Sequence, residues 1–177
     1  MEYVSKYNDV SHKYTGPYAI VSWTGERNAS NNNAMHGFGT ILFANGNTYE
    51  GGVCNDMLHG FGTLTDSEND TLYSGEFVED RREGSAKFTH PFGIYEGSYC
   101  NNKRHGKGRE VDNAGNIFEG EYLNGDAVKG KMSYACGEIY VGELKDDMKH
   151  GRGKLFTIDG DIQEGLFVND EFVGEET

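Results

Sequence analysis

Apolar and polar residues alternate along most of the chain in short runs, and glycine takes part in the alternation. In residues 73–77, Tyr-Ser-Gly-Glu-Phe, every second residue is aromatic or glycine. The two rings and the glycine therefore share one face of a β-strand. Polar turn pairs such as Asn101 and Asn102 follow these runs, and strands joined by turns this short pair antiparallel. The pattern predicts an all-β chain of consecutive antiparallel hairpins.

The alternating run recurs at a nearly fixed interval. Its copies start at residues 49, 73, 95, 118, 140 and 163, which are 24, 22, 23, 22 and 23 residues apart. A second glycine follows nine residues after the glycine of most runs, at Gly60, Gly84, Gly106, Gly151 and Gly174. Such a period is typical of proteins built from stacked units that are stabilised by their nearest neighbours.

Residues 95–108, Tyr-Glu-Gly-Ser-Tyr-Cys-Asn-Asn-Lys-Arg-His-Gly-Lys-Gly, resemble the MORN repeat (membrane occupation and recognition nexus). The similarity covers residues 14–177 in about seven units, with half-units at both ends, whereas residues 1–13 show no period. The resemblance implies an elongated, single-layer row of antiparallel β-hairpins. Two units depart from the repeat. The third has Glu-Gly-Ser-Ala at 83–86 in place of His-Gly-x-Gly, and the fifth is one residue short at 124–130 and lacks its first glycine.

Charge and composition narrow the classes of function. The chain has 29 acidic and 16 basic residues and a net charge of −13, so we expect no nucleic-acid partner. No apolar stretch is long enough for a transmembrane helix, and the N-terminus lacks the features of a signal peptide. The three cysteines fit no disulfide framework. We therefore expect a cytoplasmic protein.

Four histidines precede a repeat glycine, at His36, His59, His105 and His150. Equivalent atoms of adjacent repeats lie about 9–10 Å apart, two strand spacings, whereas zinc binds its ligands at about 2 Å. We expect these imidazoles to bond turn backbone rather than a metal. No nucleophile constellation or phosphate-binding loop is visible either, which predicts a chain with no cofactor and no catalytic residue.

The aromatic residues of the repeats are candidates for partner binding, namely Tyr73, Phe77, Tyr95, Tyr99, Phe118, Tyr122 and Tyr140. One interpretation is that their rings only cover glycines and hold the hairpins together. The other is that they also form a groove for an extended or helical segment of a protein partner. Because a single layer has no second layer to cover this face, we expect an exposed aromatic row.

Basic residues offer a different candidate surface, made of Lys103, Arg104, Lys107 and Arg109. Such residues along one edge could contact anionic phosphoinositide headgroups. The alternative is cross-strand pairing with acids such as Glu119 and Glu121 on the solvated face. The excess of acids and the acidic C-terminus disfavour membrane binding.

The MORN resemblance implies a non-catalytic scaffold or adaptor. Small MORN-only proteins act in cytoskeletal, ciliary and flagellar assemblies, and one of them binds the tail of a class III myosin. By resemblance, the partner is a cytoskeletal or motor protein. A peripheral module that binds phosphoinositide lipids and a structural homodimer are the alternatives.

The repeat count predicts the length of the molecule. Seven hairpins at about 9–10 Å each give a row of roughly 65–70 Å, against about 32 Å across for a compact globule of this chain length. Small-angle X-ray scattering should therefore give a maximum dimension near the larger value. A maximum dimension near that of the globule would contradict the hairpin row.

Overall fold

The protein is almost entirely β-structure. The computed structural model describes residues 18–66 and 70–175, in which fourteen strands and no α-helix occur. The strands are β1 (Ile20–Asn28), β2 (Ala34–Phe43), β3 (Thr48–Cys54), β4 (Met57–Asp66), β5 (Thr71–Val78), β6 (Arg81–His90), β7 (Gly93–Cys100), β8 (Lys103–Asp112), β9 (Ile117–Leu123), β10 (Asp126–Ser133), β11 (Ile139–Lys145), β12 (Met148–Phe156), β13 (Ile162–Val168) and β14 (Glu171–Gly174). The predicted segment 1–13 and most of the predicted N-terminal half-unit lie outside the described residues.

The chain divides into two compact units. The first unit comprises residues up to 91 together with residues 99–102, and the second comprises residues 92–98 and those from 103 onwards. In the first unit, β1 to β6 hydrogen-bond in chain order, and every pair is antiparallel. In the second unit, β8 to β14 do the same. The prediction of an all-β, antiparallel hairpin array is confirmed.

Six of the seven hairpins in the described residues close with a two-residue turn in the left-handed region of backbone space, whereas residues 29–33 connect β1 to β2. At Asn55 and Asp56 the φ angles are 51° and 67°, and at Asn101 and Asn102 they are 49° and 67°. Asparagine, aspartate and glycine tolerate this conformation best, and its twist matches that of the flanking strands. The polar pairs between the alternating runs are therefore the turns that the sequence predicted.

The second turn residue also fastens its hairpin to the preceding one. The Asp80 backbone N–H donates to the Leu58 carbonyl oxygen at 3.0 Å, and Asp80 Oδ1 accepts from the Leu58 N–H at 2.7 Å. The same reciprocal pair joins Met35 to Asp56, Arg82 to Asn102, and Lys149 to Asp170. Each turn thus satisfies backbone groups of its neighbour, which couples adjacent repeats.

The repeat glycines form a row across each sheet. In the first unit, the register pairs Gly25, Gly39, Gly51, Gly62, Gly75 and Ala86 in succession. In the second unit it pairs Gly108, Gly120, Gly130, Gly142, Gly153 and Gly165. An aromatic ring lies directly over most of these glycines. A Cβ at Gly51 or Gly62, for example, would collide with the Tyr49 ring. We call this side of each sheet the ring face and the other side the open face.

A substitution at Asp80 tests the coupling between hairpins. Asp80→Gly keeps the left-handed turn but removes the acceptor for the Leu58 N–H, so we expect a loss of about 1–2 kcal/mol in the free energy of unfolding. Asp80→Asn retains an Oδ1 acceptor, as Asn102 does in the next repeat, and should lose less than about 0.5 kcal/mol. Urea denaturation of both variants measures the difference, and equal stabilities would argue against the coupling.

Candidate functional site

The predicted partner-binding rings are buried. Tyr73, Phe77, Tyr95, Tyr99, Phe118, Tyr122 and Tyr140 are all between 0 and 6 % exposed. The expectation of an exposed aromatic row is therefore wrong, although a binding role for these residues stays an untested prediction. Replacing a ring buried to this degree by alanine commonly costs about 3–5 kcal/mol, so a loss of binding in such variants would not by itself identify a docking site.

The rings are buried without a second layer because neighbouring repeats cover each other. Phe77 packs edge-on against Tyr49 of the preceding repeat, with ring centroids 5.3 Å apart. Tyr99 packs against Tyr73 in the same way at 5.3 Å, and Phe167 against Tyr140 at 5.2 Å. The second aromatic residue of each of these runs thus covers the first aromatic residue of the run before it. This edge-to-face geometry is the favourable one for aromatic pairs.

The tyrosine hydroxyls find acceptors within the same strand. Tyr49 Oη donates to the Gly52 carbonyl oxygen at 2.8 Å, and Tyr140 Oη donates to the Glu143 carbonyl oxygen at 2.8 Å. The strand register shifts next to both acceptors, between Gly51 and Val53 and between Gly142 and Leu144. A buried hydroxyl needs a partner, and the bulge supplies one.

The candidate lipid-binding bases do not share one surface. Arg104 lies on the ring face, where its guanidinium is 4.8 Å from the Tyr122 ring centroid and its Nη1 is 2.7 Å from Glu110 Oε2. Lys107 and Arg109 are exposed on the open face, on either side of Gly108. Lys103 is exposed next to the turn. The expected single basic stripe is therefore wrong, because alternate residues of a strand point to opposite faces.

The open face of the second unit carries charges of alternating sign. Lys107, Glu121, Lys129 and Glu143 are successive strand partners, and so are Arg109, Glu119 and Lys131. Arg109 Nε lies 3.3 Å from Glu119 Oε1, and Lys154 Nζ lies 2.7 Å from Glu164 Oε2. The predicted cross-strand pairing is confirmed for these pairs, and exposed pairs of this kind contribute less than about 1 kcal/mol each.

Two rows of these charges border a groove of about 570 Å³ in the second unit. Its floor is the backbone of Gly108, Gly120 and Gly130, and its sides are formed by Glu96, Lys107, Arg109, Glu119, Glu121 and Lys129. Sequence reasoning missed this groove because it considered these bases and acids only as cross-strand pairs or as a lipid-binding edge. A signal was present, since a charged residue flanks each of these glycines on both sides.

Among residues 18–66 and 70–175, no group of three histidine, cysteine or acidic side chains could hold a metal ion. In the same residues, no helix is long and apolar enough to cross a membrane.

The predicted imidazole bond to turn backbone is not made by Nδ1 of His36 or His150, each of which is buried without a partner in the described part of the chain. Near His150, the Arg152 N–H donates instead to Glu143 Oε2 at 3.2 Å.

The buried phenols have raised pKa values. Burial raises the pKa of Tyr140 to about 12, and the neighbouring Glu143 carboxylate adds to the effect. Burial also raises the pKa of Tyr122, with a further contribution from the Glu110 carboxylate, which accepts a hydrogen bond from Tyr122 Oη at 2.9 Å. The phenols therefore remain protonated donors throughout the ordinary pH range.

Because the buried phenols must ionise at high pH, we expect alkali to unfold the protein. A tyrosine in the unfolded chain ionises near pH 10, so a raised pKa in the folded state stabilises the fold fully below pH 10 and progressively less above it. We expect the urea midpoint to fall between pH 10 and 12, with the tyrosinate absorbance of the buried phenols appearing as β-sheet circular dichroism is lost. Tyr140→Phe should make this fall less steep. Ionisation of all eleven tyrosines near pH 10 with unchanged circular dichroism would contradict the prediction.

Comparison with known proteins agrees with the repeat geometry. A family model described as the MORN repeat matches residues 31–48, 49–71, 73–91, 95–117 and 140–162, which is more than half of the chain. Residues 118–139, which include the shortened fifth unit, lie between two matches. No curated protein matches the chain. The MORN repeat is a non-enzymatic module found in scaffolds and binding proteins. The matched repeats, together with the hairpins and their ring-covered glycines, show that this chain belongs to the MORN-repeat family.

Proposed function

We propose that this MORN chain is a non-catalytic scaffold or adaptor that binds a protein partner through the open-face groove of its second unit. The observation that carries the proposal is the contrast between the two faces. The ring face is closed by its own aromatic residues, whereas the open face presents a glycine-floored groove lined with charged side chains. Grooves with a few convergent polar groups are the usual sites of recognition.

The spacing of the charges describes a suitable partner. Neighbouring strands are about 4.8 Å apart, so charges of opposite sign alternate at that distance and charges of like sign recur at about 10 Å. An α-helix that lies across the strands advances 5.4 Å per turn. Its residues three or four positions apart therefore meet successive strands, and its residues seven apart meet every second strand. A helical segment with charges of alternating sign along one face therefore complements the groove. The family resemblance adds a cytoplasmic setting in a cytoskeletal, ciliary or flagellar assembly.

Phosphoinositide binding is the weaker alternative. Glu96, Glu119 and Glu121 lie among the exposed bases Lys107 and Arg109 and reduce the local positive potential. Arg104 is held on the ring face by Glu110. A structural homodimer is a further alternative, and the oligomeric state of the purified chain tests it.

Charge reversal in the groove tests the adaptor proposal. Lys107→Glu combined with Lys129→Glu removes the positive positions beside Glu121, and should weaken capture of the partner by at least about tenfold, as expected for central charged contacts. Lys145→Glu makes the same change at an exposed residue outside the groove lining and should leave capture unchanged. Quantitative affinity purification with the wild type and both variants measures the effect.

The outcomes separate the candidate functions. Equal partner recovery with the groove variant and the wild type would overturn the groove as the binding site. Pelleting with phosphoinositide vesicles at physiological salt, lost in the groove variant, would favour the membrane alternative instead. We expect no pelleting, since the net charge of the chain is −13.

A further inference from the structure

Two phenylalanines of the first unit lie on its open face. Phe38 on β2 is 66 % exposed, and Phe61 on β4 is 62 % exposed. Phe38 directly precedes Gly39, and Phe61 directly precedes Gly62. A Cβ added to either glycine would point into the ring face, where it would meet Trp23 at Gly39 and Tyr49 at Gly62. Because successive residues of a strand point to opposite faces, both phenylalanine rings project from the open face.

A gap separates the two rings. Strand β3 lies between β2 and β4, and its residue at this level is Gly52, the strand partner of Phe38. A Cβ at Gly52 would collide with the His59 carbonyl oxygen, so no larger residue fits there. Two strand spacings place the strands that carry the rings about 10 Å apart. A flat group in contact with both rings needs ring planes about 7–8 Å apart, and a strand separation of about 10 Å leaves room for such a group.

The ring face of the same chain already places an arginine against two rings at once, although there the Tyr73 and Tyr99 rings also touch each other, with centroids 5.3 Å apart. Tyr73 on β5 and Tyr99 on β7 are also two strands apart, and Arg82 on the strand between them places its guanidinium 5.4 Å and 5.3 Å from the two ring centroids. Arg104 lies against Tyr95 and Tyr122 in the same way, with its guanidinium 5.6 Å and 4.8 Å from their ring centroids. Phe38 and Phe61 are likewise two strands apart, and Gly52 on the strand between them brings no side chain to the open face.

The surroundings of the gap are acidic. Glu76 is the strand partner of Phe61, and Glu50 lies on the open face of β3 next to Gly51. Residues 34–78 contain no lysine or arginine at all. A cation that enters the gap would therefore meet two aromatic faces and nearby carboxylates, and no fixed positive charge from this stretch would oppose it.

We propose that Phe38 and Phe61 clamp an arginine side chain from a basic segment of a partner protein. The planar guanidinium stacks between the two rings over Gly52, and the carboxylates of Glu50 and Glu76 attract its charge. Arginine is preferred to lysine because only the guanidinium is flat enough to stack on both rings. This clamp lies in the first unit and is independent of the groove proposed above.

A titration with two matched peptides tests the clamp. The probe is a soluble peptide with three arginines separated by Gly-Ser pairs, and its control carries citrulline, the uncharged analogue of arginine, at the same positions. Added to the full chain labelled with nitrogen-15, the arginine peptide should shift the amide resonances of Phe38, Gly52 and Phe61, and the citrulline peptide should bind at least about fivefold more weakly.

Variants distinguish the clamp from general attraction to an acidic protein. Phe38→Ala combined with Phe61→Ala changes no charge and removes exposed rings only, and should weaken binding of the arginine peptide at least about fivefold. Phe92→Ala removes a ring that is likewise 62 % exposed but lies in the second unit. This control variant should bind the arginine peptide as tightly as the wild type does.

The remaining outcomes count against the clamp. Unchanged binding of the arginine peptide by the double variant would overturn it, because charge alone would then account for the affinity. Equal binding of the citrulline peptide would overturn the role of the cation. Self-association of the wild type that the double variant loses would show instead that the two rings contact a second copy of the chain.

Discussion

Coverage of bare glycine backbone by aromatic rings is the interaction on which the rest of this structure depends. Glycine in a strand weakens the strand unless something packs against it. Here the Tyr49 ring lies over Gly51 and Gly62, and the same arrangement recurs along both units. Because glycine has no side chain, the ring approaches the sheet closely enough to be buried by a single layer and by the ring of the next repeat. A single layer therefore buries its own aromatic face, whereas most sheets need a second layer to do so.

Repeats that depart from the pattern keep the fold by local substitutions. Where Ala86 replaces a glycine, its methyl group occupies the space opposite Gly75. Where Phe118 replaces the first tyrosine, Tyr122 carries the hydroxyl and donates to Glu110, which Arg104 also binds. Arg104 further donates to the carbonyl oxygen of the turn residue Gly125 at 3.0 Å. A polar cluster thus forms among the rings next to the turn in which Gly125 provides no side-chain acceptor.

Closure of the ring face leaves recognition to the open face. There the residues that flank each glycine project away from the rings, and their chemistry differs between the units. In the second unit they are mostly charged residues of alternating sign, which border a groove. In the first unit they include Phe38 and Phe61, with Gly52 between them and acids nearby. One repeat architecture therefore presents two surfaces of different chemistry, because only the positions outside the ring-glycine pattern are free to vary.

The sequence by itself determined the strand pattern, the turns and the repeat, because alternation and turn residues are local properties that a 23-residue period displays directly. It also indicated which rings and glycines share a face. Only the tertiary structure decided that Tyr73, Tyr99 and Tyr122 are buried, since their cover comes from other repeats. The separation of Arg104 from Lys107 and Arg109 needed only the alternation of strand faces, which the sequence displays. The glycine-floored groove and the gap between Phe38 and Phe61 arise from register across three or more strands, which no single stretch of sequence contains.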